Sequence, residues 1–340
     1  YGDMSIQFKY MQTIVVAALA ITACSGNSDK AVSRPDNTTI AHESRNISAL
    51  EFNADSAYSY VGRQVAMGPR IPGSDAHKEC EQFISRFMLE SGADTVSTQR
   101  GTMLAADGKR IPVANIFAQY NPVAEKRVLL IAHYDTRPWA DADTDKLNHN
   151  KPVPGANDGA SGVGVLLEIA RQIGQKRPEI GVDFLFTDAE DMGVSGESGA
   201  EDSWCLGTQM WVAQMPYTAA NRPAYGILLD MVGHRDAVFK REYVSDIFAP
   251  AVNNRVWAVA KASGFASRFA DGQGGAVTDD HTFINRAGIP CIDIVDCVNP
   301  QTGSFPANWH TINDNMEHIS VHTLKAVGQT VLNTITTEKK

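Results

Sequence analysis

The sequence predicts a single α/β domain with a mostly parallel, mixed central sheet, helices on both sheet faces and an active site at the carboxyl ends of the strands. Short continuous apolar runs, such as 128–132 and 182–186, are typical of strands that are buried on both faces. Between them, residues 162–173 carry apolar side chains at helical spacing. Strands that alternate with helices favour a parallel sheet, and such sheets bind ligands beyond the carboxyl ends of their strands.

The predicted elements alternate along most of the chain. Ser74 and Asp75 cap a first helix, which runs to Gly92. The apolar runs then predict strands at 115–120, 128–132, 182–186, 224–229 and 289–295. Helical spacing predicts the intervening helices at 162–173, around 207–214, at 249–263 and at 321–337.

The N-terminal segment resembles a bacterial lipoprotein signal peptide over residues 1–23. Lys9 precedes the apolar run 14–21, which is about half the length of a membrane-spanning helix and ends in small residues before Cys24. An ordinary signal peptide with an incidental Cys24 is the alternative. The resemblance implies export, a lipid on Cys24 and, because Ser25 rather than Asp follows, retention on the outer membrane facing the periplasm. Residues 24–50 are polar and predict a flexible tether, which leaves 51–340 as the catalytic domain.

Charge and cysteine content exclude some classes of function. The net charge of −9 argues against a nucleic-acid partner, because binding phosphates requires a surplus of Lys and Arg. Export would place the other cysteines in a compartment that permits disulfides, but spacing does not select a pairing among them. The absence of a Cys-x-x-Cys pair argues against a thiolate zinc site, and nothing in the sequence indicates the oligomeric state. These cysteines are Cys80, Cys205, Cys291 and Cys297.

Six segments at strand ends or in loops carry Asp, Glu or His. If the carboxyl ends of the parallel strands meet at one edge, these side chains converge there. Converging carboxylates repel one another unless a cation or protons hold them together, and His with carboxylate suits a catalytic Zn²⁺. The segments are 133–135, 155–162, 188–191, 230–234, 278–281 and 305–311.

Over about residues 55–337 the chain resembles the zinc-dependent exopeptidase superfamily, which contains di-zinc aminopeptidases and glutaminyl-peptide cyclotransferases. The resemblance rests on His133-Tyr134-Asp135, the 155–162 loop, 188–191, Asp230 and Trp309-His310-Thr311. Three further segments favour the cyclotransferase branch: 68–77, the Asp279-Asp280-His281 segment with 288–290, and Phe305-Pro306 before Trp309. The spacing from Asp188 to Trp204 departs from the animal enzymes, and Asp191 stands where they have Glu.

The resemblance implies roles for nine residues and one zinc ion per chain. Asp158, Asp191 and His310 would bind the zinc, although Asp158 as a helix cap and His310 as a packed loop residue are alternatives. Glu190 would be the general base and acid, with a solvated strand-end carboxylate as its alternative. Asp230 and Asp279 would assist Glu190 and hold the substrate amine. Trp309, Phe305 and Trp204 would line the substrate pocket, with core packing as the alternative for Trp309 and Phe305.

The function implied by this branch is conversion of an N-terminal Gln of peptides or proteins to pyroglutamate with release of ammonia. The main alternative is a di-zinc aminopeptidase, in which His133 and Asp135 bind a second zinc with Asp158 bridging and Asp230 assisting. A lipid-anchored binding protein that kept only the fold is a third possibility, which the intact Glu190 argues against. The remaining histidines are predicted to be structural: His77, His234, His281, His318 and His322.

Overall fold

A six-stranded mixed sheet runs through the centre of the molecule and positions the candidate site at one edge. The computed structural model describes residues 50–194 and 200–339. The strands are β1 (Thr95–Leu104), β2 (Arg110–Tyr120), β3 (Arg127–His133), β4 (Gly181–Thr187), β5 (Tyr225–Asp230), β6 (Phe239–Arg241), β7 (Phe269–Gln273) and β8 (Cys291–Val295). The helices are α1 (Ala54–Ala66), α2 (Asp75–Glu90), α3 (Ala160–Gln175), α4 (Leu206–Val212), α5 (Tyr243–Phe248), α6 (Pro250–Ala262), α7 (Asp280–Arg286) and α8 (Val321–Thr336).

The strand order in the main sheet is β1-β2-β4-β3-β5-β8, while β6 and β7 form a small separate pair. Strands β4, β3, β5 and β8 are parallel to one another, whereas β2 is antiparallel to both of its neighbours, β1 and β4. The predicted mostly parallel, mixed sheet is therefore confirmed. Since β3, β4, β5 and β8 point the same way, their carboxyl ends lie side by side at one edge.

Both faces of the sheet are covered, as the continuous apolar runs predict. Along β3, Val128 and Leu130 enter the larger core with α3 and α8, whereas Leu129 and Ile131 enter a second core with Trp211 of α4 and Ile284 of α7. Every residue of β3 is buried. Alternate residues of one strand thus anchor two helical layers, which fixes the register of the sheet.

The sequence prediction missed elements that lack a strong apolar pattern. Helix α1 buries only Ala57, Val61 and Gln64. Strand β1 lies at the sheet edge and contains no fully buried residue, and β2 begins at Arg110 rather than near 115. The predicted loop at 278–281 is instead the start of α7, with Asp279 as its N-cap.

The structure describes the four cysteines of the domain but not the predicted lipid anchor. The signal peptide, Cys24 and residues up to 49 of the tether lie outside the described residues. Within the described ranges, no helix has both the length and the apolar character needed to cross a bilayer. Each of the four cysteines whose pairing was left open is a buried free thiol: Cys80, Cys205, Cys291 and Cys297.

Candidate metal centre and active site

One cavity at the carboxyl ends of the parallel strands gathers almost all of the predicted site residues. Its volume is about 230 Å³. The register explains the convergence, because β3 ends at His133, β4 ends just before Asp188 and β5 ends at Asp230. Eight of the nine predicted residues line it: Asp158, Glu190, Trp204, Asp230, Asp279, Phe305, Trp309 and His310. The ninth, Asp191, lies beside the cavity, with its Oδ1 3.1 Å from Nε2 of His310.

Asp158, Asp191 and His310 form a buried group whose ligand atoms lie within 4.8 Å of one another. Nε2 of His310 is 3.5 Å from Oδ2 of Asp158. Oδ2 of Asp191 is buried and has no hydrogen-bond partner among the described residues. A buried carboxylate oxygen without a partner is unfavourable unless a cation or proton binds it. One imidazole and two carboxylates, with room for a fourth ligand, fit a catalytic zinc ion.

The carboxylate of Asp158 faces a different histidine with each of its oxygens. Oδ1 lies 3.1 Å from Nε2 of His133, and Oδ2 faces His310. Nε2 of His133 is also 3.2 Å from Oδ1 of Asp230, so His133, Asp158 and Asp230 form a second group that could bind a metal. A carboxylate between two ligand groups has the geometry of a two-metal centre. Helix α3 takes Gly159 rather than Asp158 as its N-cap, which removes the capping alternative.

Asp135 anchors the backbone instead of joining the second ligand group. Its two carboxylate oxygens accept hydrogen bonds from the backbone amides of Glu190, at 3.1 Å, and Asp191, at 3.2 Å. Its Oδ1 lies 3.4 Å from Nδ1 of His133, on the side of the ring away from Asp158. Asp135 therefore holds the backbone of the proposed base and of one proposed ligand, while its carboxylate faces the ring of His133.

Glu190 is a buried carboxylate, with 8% of its surface exposed, and not a solvated strand-end residue. The thiol of Cys205 donates a hydrogen bond to its Oε1 at 3.3 Å. Glu190, Cys205 and Asp279 bring side-chain heteroatoms within 4.8 Å of one another. The proposed base thus faces Asp279 across the cavity and is supported from behind by Cys205.

Three carboxyl groups in the cavity, those of Glu190, Asp230 and Asp279, have raised pKa values. Burial, and then the negative charge of Asp279, raises the pKa of Glu190 well above its usual range. Burial and the charge of Asp230 do the same to the pKa of Asp279. Burial and the charge of Asp158 raise the pKa of Asp230 to about 6. Carboxyl groups this close titrate together and share protons, which suits a group that must first take and then give a proton.

Aromatic rings form the walls of the cavity. The ring of Trp309 stacks on that of His310, with centroids 3.6 Å apart and planes at 21°. Phe305 lies 4.5 Å from Trp309, and Trp204 stacks on His310 at 6.1 Å. Trp204 and Trp309 therefore both stack on His310, a proposed metal ligand, and Phe305 contacts Trp309. Phe305 and Trp309 also pack against a small apolar cluster of Met231, Val295 and Cys297, so they are both cavity wall and packing residues.

Left-handed backbone concentrates at the site. Of the five described residues other than Gly with positive φ, four adjoin or belong to the cavity: Ala189 (51°), Cys205 (55°), Met231 (48°) and His310 (52°). Such conformations cost about 1–3 kcal/mol each and persist where the surrounding packing enforces them. Ala189 precedes Glu190, Met231 follows Asp230 and His310 follows Trp309. The left-handed residues thus turn the chain sharply beside the candidate site residues.

Sequence reasoning missed Arg137 and Asp141, which contact the proposed ligands directly. The guanidinium of Arg137 is 1% exposed and donates to both Asp141 and Asp191. Arg137 stands only two residues after the His-Tyr-Asp motif, but an Arg in a loop ordinarily lies in solvent, so no local signal marks it. His281, predicted to be structural, is fully buried, with Nε2 3.0 Å from Oε2 of Glu242.

The family of the chain is given by a model that matches residues 115–335, described as peptidase family M28. A glutaminyl cyclase from Bacteroides thetaiotaomicron is 49% identical, with a TM-score of 0.81, over 85% of this chain and 99% of that one. A structure described as a leucine aminopeptidase precursor from the same species is 47% identical, with a TM-score of 0.81, over 86% of this chain and 100% of that one.

The curated relatives also include both cyclotransferases and an aminopeptidase. The glutaminyl-peptide cyclotransferase of Bos taurus is 25% identical over 284 residues, which cover 75% of this chain and 74% of that protein. Aminopeptidase YwaD of Bacillus subtilis is 29% identical over 208 residues, which cover 60% of this chain. The match spans only 39% of the length of that aminopeptidase.

Proposed function

Because the chain belongs to peptidase family M28 and bears the site described above, we propose that it is a glutaminyl-peptide cyclotransferase. The substrate would be a peptide or protein with an N-terminal Gln, and the products pyroglutamate at that terminus and ammonia. We further propose one zinc ion per chain, bound by Asp158, Asp191 and His310. The proposal depends most on the aromatic-walled cavity that also contains Glu190 and the metal ligands.

The size and walls of the cavity support cyclisation. A cyclase must fold a Gln side chain back until its amide carbon meets its own α-nitrogen, and a narrow slot favours that folded conformer. The cavity volume of about 230 Å³ lies below the common range for ligand pockets, which begins near 300 Å³, and suits one compact side chain. Trp204, Phe305 and Trp309 supply apolar surface against which the methylene groups of Gln can pack.

The carboxylates supply the proton transfers. Zinc, when bound, would act as a Lewis acid on the side-chain amide carbonyl. Glu190 accepts a proton from the α-amine as its nitrogen forms a bond to the amide carbon. Glu190 then donates a proton to the departing nitrogen as the old carbon–nitrogen bond breaks, so ammonia leaves and no water is consumed. Asp230 and Asp279, which also line the cavity, accept hydrogen bonds from the amine and orient it.

A di-zinc aminopeptidase is the second candidate, and the position of Asp158 favours it. The two oxygens of this carboxylate face His133 and His310, which is the arrangement that a bridging ligand requires. His133, Asp158 and Asp230 are the residues that would hold the second metal, without Asp135. The small aromatic slot is harder to explain in this case, since a peptidase only has to accommodate a side chain and not to fold it.

Two measurements on the purified chain distinguish the candidates. Ammonia release from a Gln-initiated peptide, with about one zinc per chain, supports the cyclase. Free leucine from a Leu-initiated peptide, with about two zinc ions per chain, supports the aminopeptidase. An absence of ammonia release by zinc-loaded protein would exclude the cyclase proposal.

We also propose that the protein is lipid-anchored in the bacterial cell envelope, on the outer membrane facing the periplasm. The support is the sequence of residues 1–25, in which Cys24 follows an apolar run and Ser25 follows Cys24. The membrane contact would then be made through the lipid on Cys24 alone.

A further inference from the structure

Arg137 is one member of a closed ring of polar contacts that includes two of the proposed zinc ligands, Asp191 and His310. Its Nε and Nη2 donate to the two oxygens of Asp141, at 2.7 and 2.6 Å. Its Nη1 donates to Oδ1 of Asp191 at 3.2 Å. Oδ1 of Asp141 lies 3.5 Å from Nδ1 of His310, and Nε2 of His310 lies 3.1 Å from Oδ1 of Asp191. The ring therefore runs through Arg137, Asp141, His310 and Asp191.

The contacts divide the oxygens of Asp191 between two roles. Oδ1 accepts from Arg137, while Oδ2 is buried and has no hydrogen-bond partner among the described residues. A carboxylate held in this way offers one fixed oxygen to a cation. Asp141 has the corresponding effect on His310, because a carboxylate at Nδ1 favours the tautomer whose Nε2 lone pair is free to bind a metal.

The same guanidinium supports the aromatic wall. Nη1 of Arg137 also donates to the carbonyl of Gly193 at 3.1 Å, and its Cζ lies 5.0 Å from the ring centroid of Trp204. Trp204 packs so closely on Gly193 that a Cβ there would lie 2.0 Å from the indole ring. Trp139 faces the guanidinium at 5.1 Å. Arg137 thus connects a proposed metal ligand to a proposed wall of the substrate pocket.

We propose that Arg137 is a positioning residue that sets the zinc affinity of the site: it orients Asp191 through Oδ1 and, through Asp141, orients His310. This inference rests on the zinc site of the proposed function, but not on which reaction that site performs. Lys cannot replace Arg here, because a single ammonium group cannot contact Asp141 with two donors while also reaching Asp191 and Gly193.

The test is the zinc dissociation constant of the folded protein, measured by competition with a chromophoric chelator. Arg137→Lys keeps the charge but loses the forked geometry, and we expect it to weaken zinc binding by about 10- to 100-fold. Asp141→Asn should weaken binding in the same range, and the double variant should lose less than the product of the two effects, because both act through one ring. Arg110→Lys, at an exposed position on β2, is the matched control and should bind zinc as the wild type does.

The melting temperature of the metal-free variants separates positioning from a purely structural role. If Arg137→Lys melts earlier but binds zinc within twofold of wild type, Arg137 only stabilises the fold and the proposal is wrong. If Arg137→Lys does not fold, Asp141→Asn decides in its place, and unchanged affinity there overturns the proposal. A wild type that binds zinc but releases no ammonia would refute the proposed function while leaving this measurement decisive.

Discussion

The indole of Trp309 stacks directly on the imidazole of His310, the next residue in the chain, with ring centroids 3.6 Å apart. Consecutive side chains can stack in this way because His310 adopts left-handed backbone, with φ of 52°. The proposed substrate wall and the proposed zinc ligand are therefore in direct contact. A substrate side chain that packs on Trp309 would therefore lie next to the proposed metal site, in a geometry that exists before the substrate binds.

Removing the indole should separate turnover from metal binding. We expect Trp309→Ala to keep zinc near the wild-type content but to lower kcat/KM for Gln-initiated peptides by at least tenfold, because the Gln side chain is no longer held in its folded conformer. Zinc content and ammonia release are the two measurements. Trp257→Phe is the control, because Trp257 packs against Phe269 and not in the cavity. Normal cyclisation by Trp309→Ala would show that Trp309 is a packing residue only.

Replacing the proposed base should leave the metal in place. Glu190→Gln is nearly isosteric, and we expect bound zinc to remain while turnover falls by roughly 10²- to 10⁴-fold. Asp191→Asn, at the adjacent position, should instead lose zinc. If Glu190→Gln loses the metal and Asp191→Asn keeps it, the roles of the two residues are exchanged.

Zinc removal should destabilise the folded protein. A cation that binds only the native state at 100 times its dissociation constant adds about 2.7 kcal/mol, which for a domain of this size corresponds to a fall of about 4–5 °C in Tm when it is removed. Calorimetry before and after chelation, and after zinc is restored, measures this shift. His310→Asn, chosen because Asn tolerates left-handed backbone, should show a much smaller response to zinc. An equal response would exclude His310 as a ligand.

Glu242 makes the stability of the chain depend on pH at the acidic end. Burial raises its pKa, but the contact with His281 and the backbone amides of Val244 and Ser245 outweigh this, and the pKa falls to about 2. A carboxyl whose pKa is lower in the folded state stabilises fully above its ordinary pKa of 4.5 and loses that contribution as the pH falls towards 2.

We therefore expect Glu242→Gln to narrow the difference in unfolding free energy between pH 7 and pH 3 by about 2 kcal/mol. Denaturant unfolding of both proteins at the two pH values is the measurement. The wild type should lose more stability than the variant on acidification. Identical losses would show that the charge of Glu242 does not contribute.

The proposed lipid anchor depends on Cys24. We expect Cys24→Ala to release the protein into the soluble periplasmic fraction, since the thiol that carries the lipid is gone. Cell fractionation followed by detection of the protein is the measurement. Cys80→Ala, which removes a buried free thiol, is the control and should remain in the membrane fraction. A Cys24→Ala protein that stays in the membrane fraction would contradict the anchor.

The sequence by itself determined the class of fold and most of the elements around the site. The apolar runs at 128–132 and 182–186 mark strands because burial on both sheet faces requires apolar residues at every position. Strand β1 was not predicted because it lies at the sheet edge, where a strand does not need an apolar residue at every position. The proposed ligands were identified from the order of the motifs along the chain. Their convergence at one sheet edge was predicted from the parallel topology.

Only the tertiary structure decided which side chains contact one another. It placed Arg137 between Asp141 and Asp191, and it assigned Asp135 to the backbone amides of Glu190 and Asp191 rather than to a metal group. The physical reason is that the contacts made by Arg137 to Asp191 and by Asp135 to the amides of Glu190 and Asp191 join segments about 55 residues apart, a loop and the end of a different strand. Their directions depend on how two strands and their loops pack, and no local spacing in the chain records that.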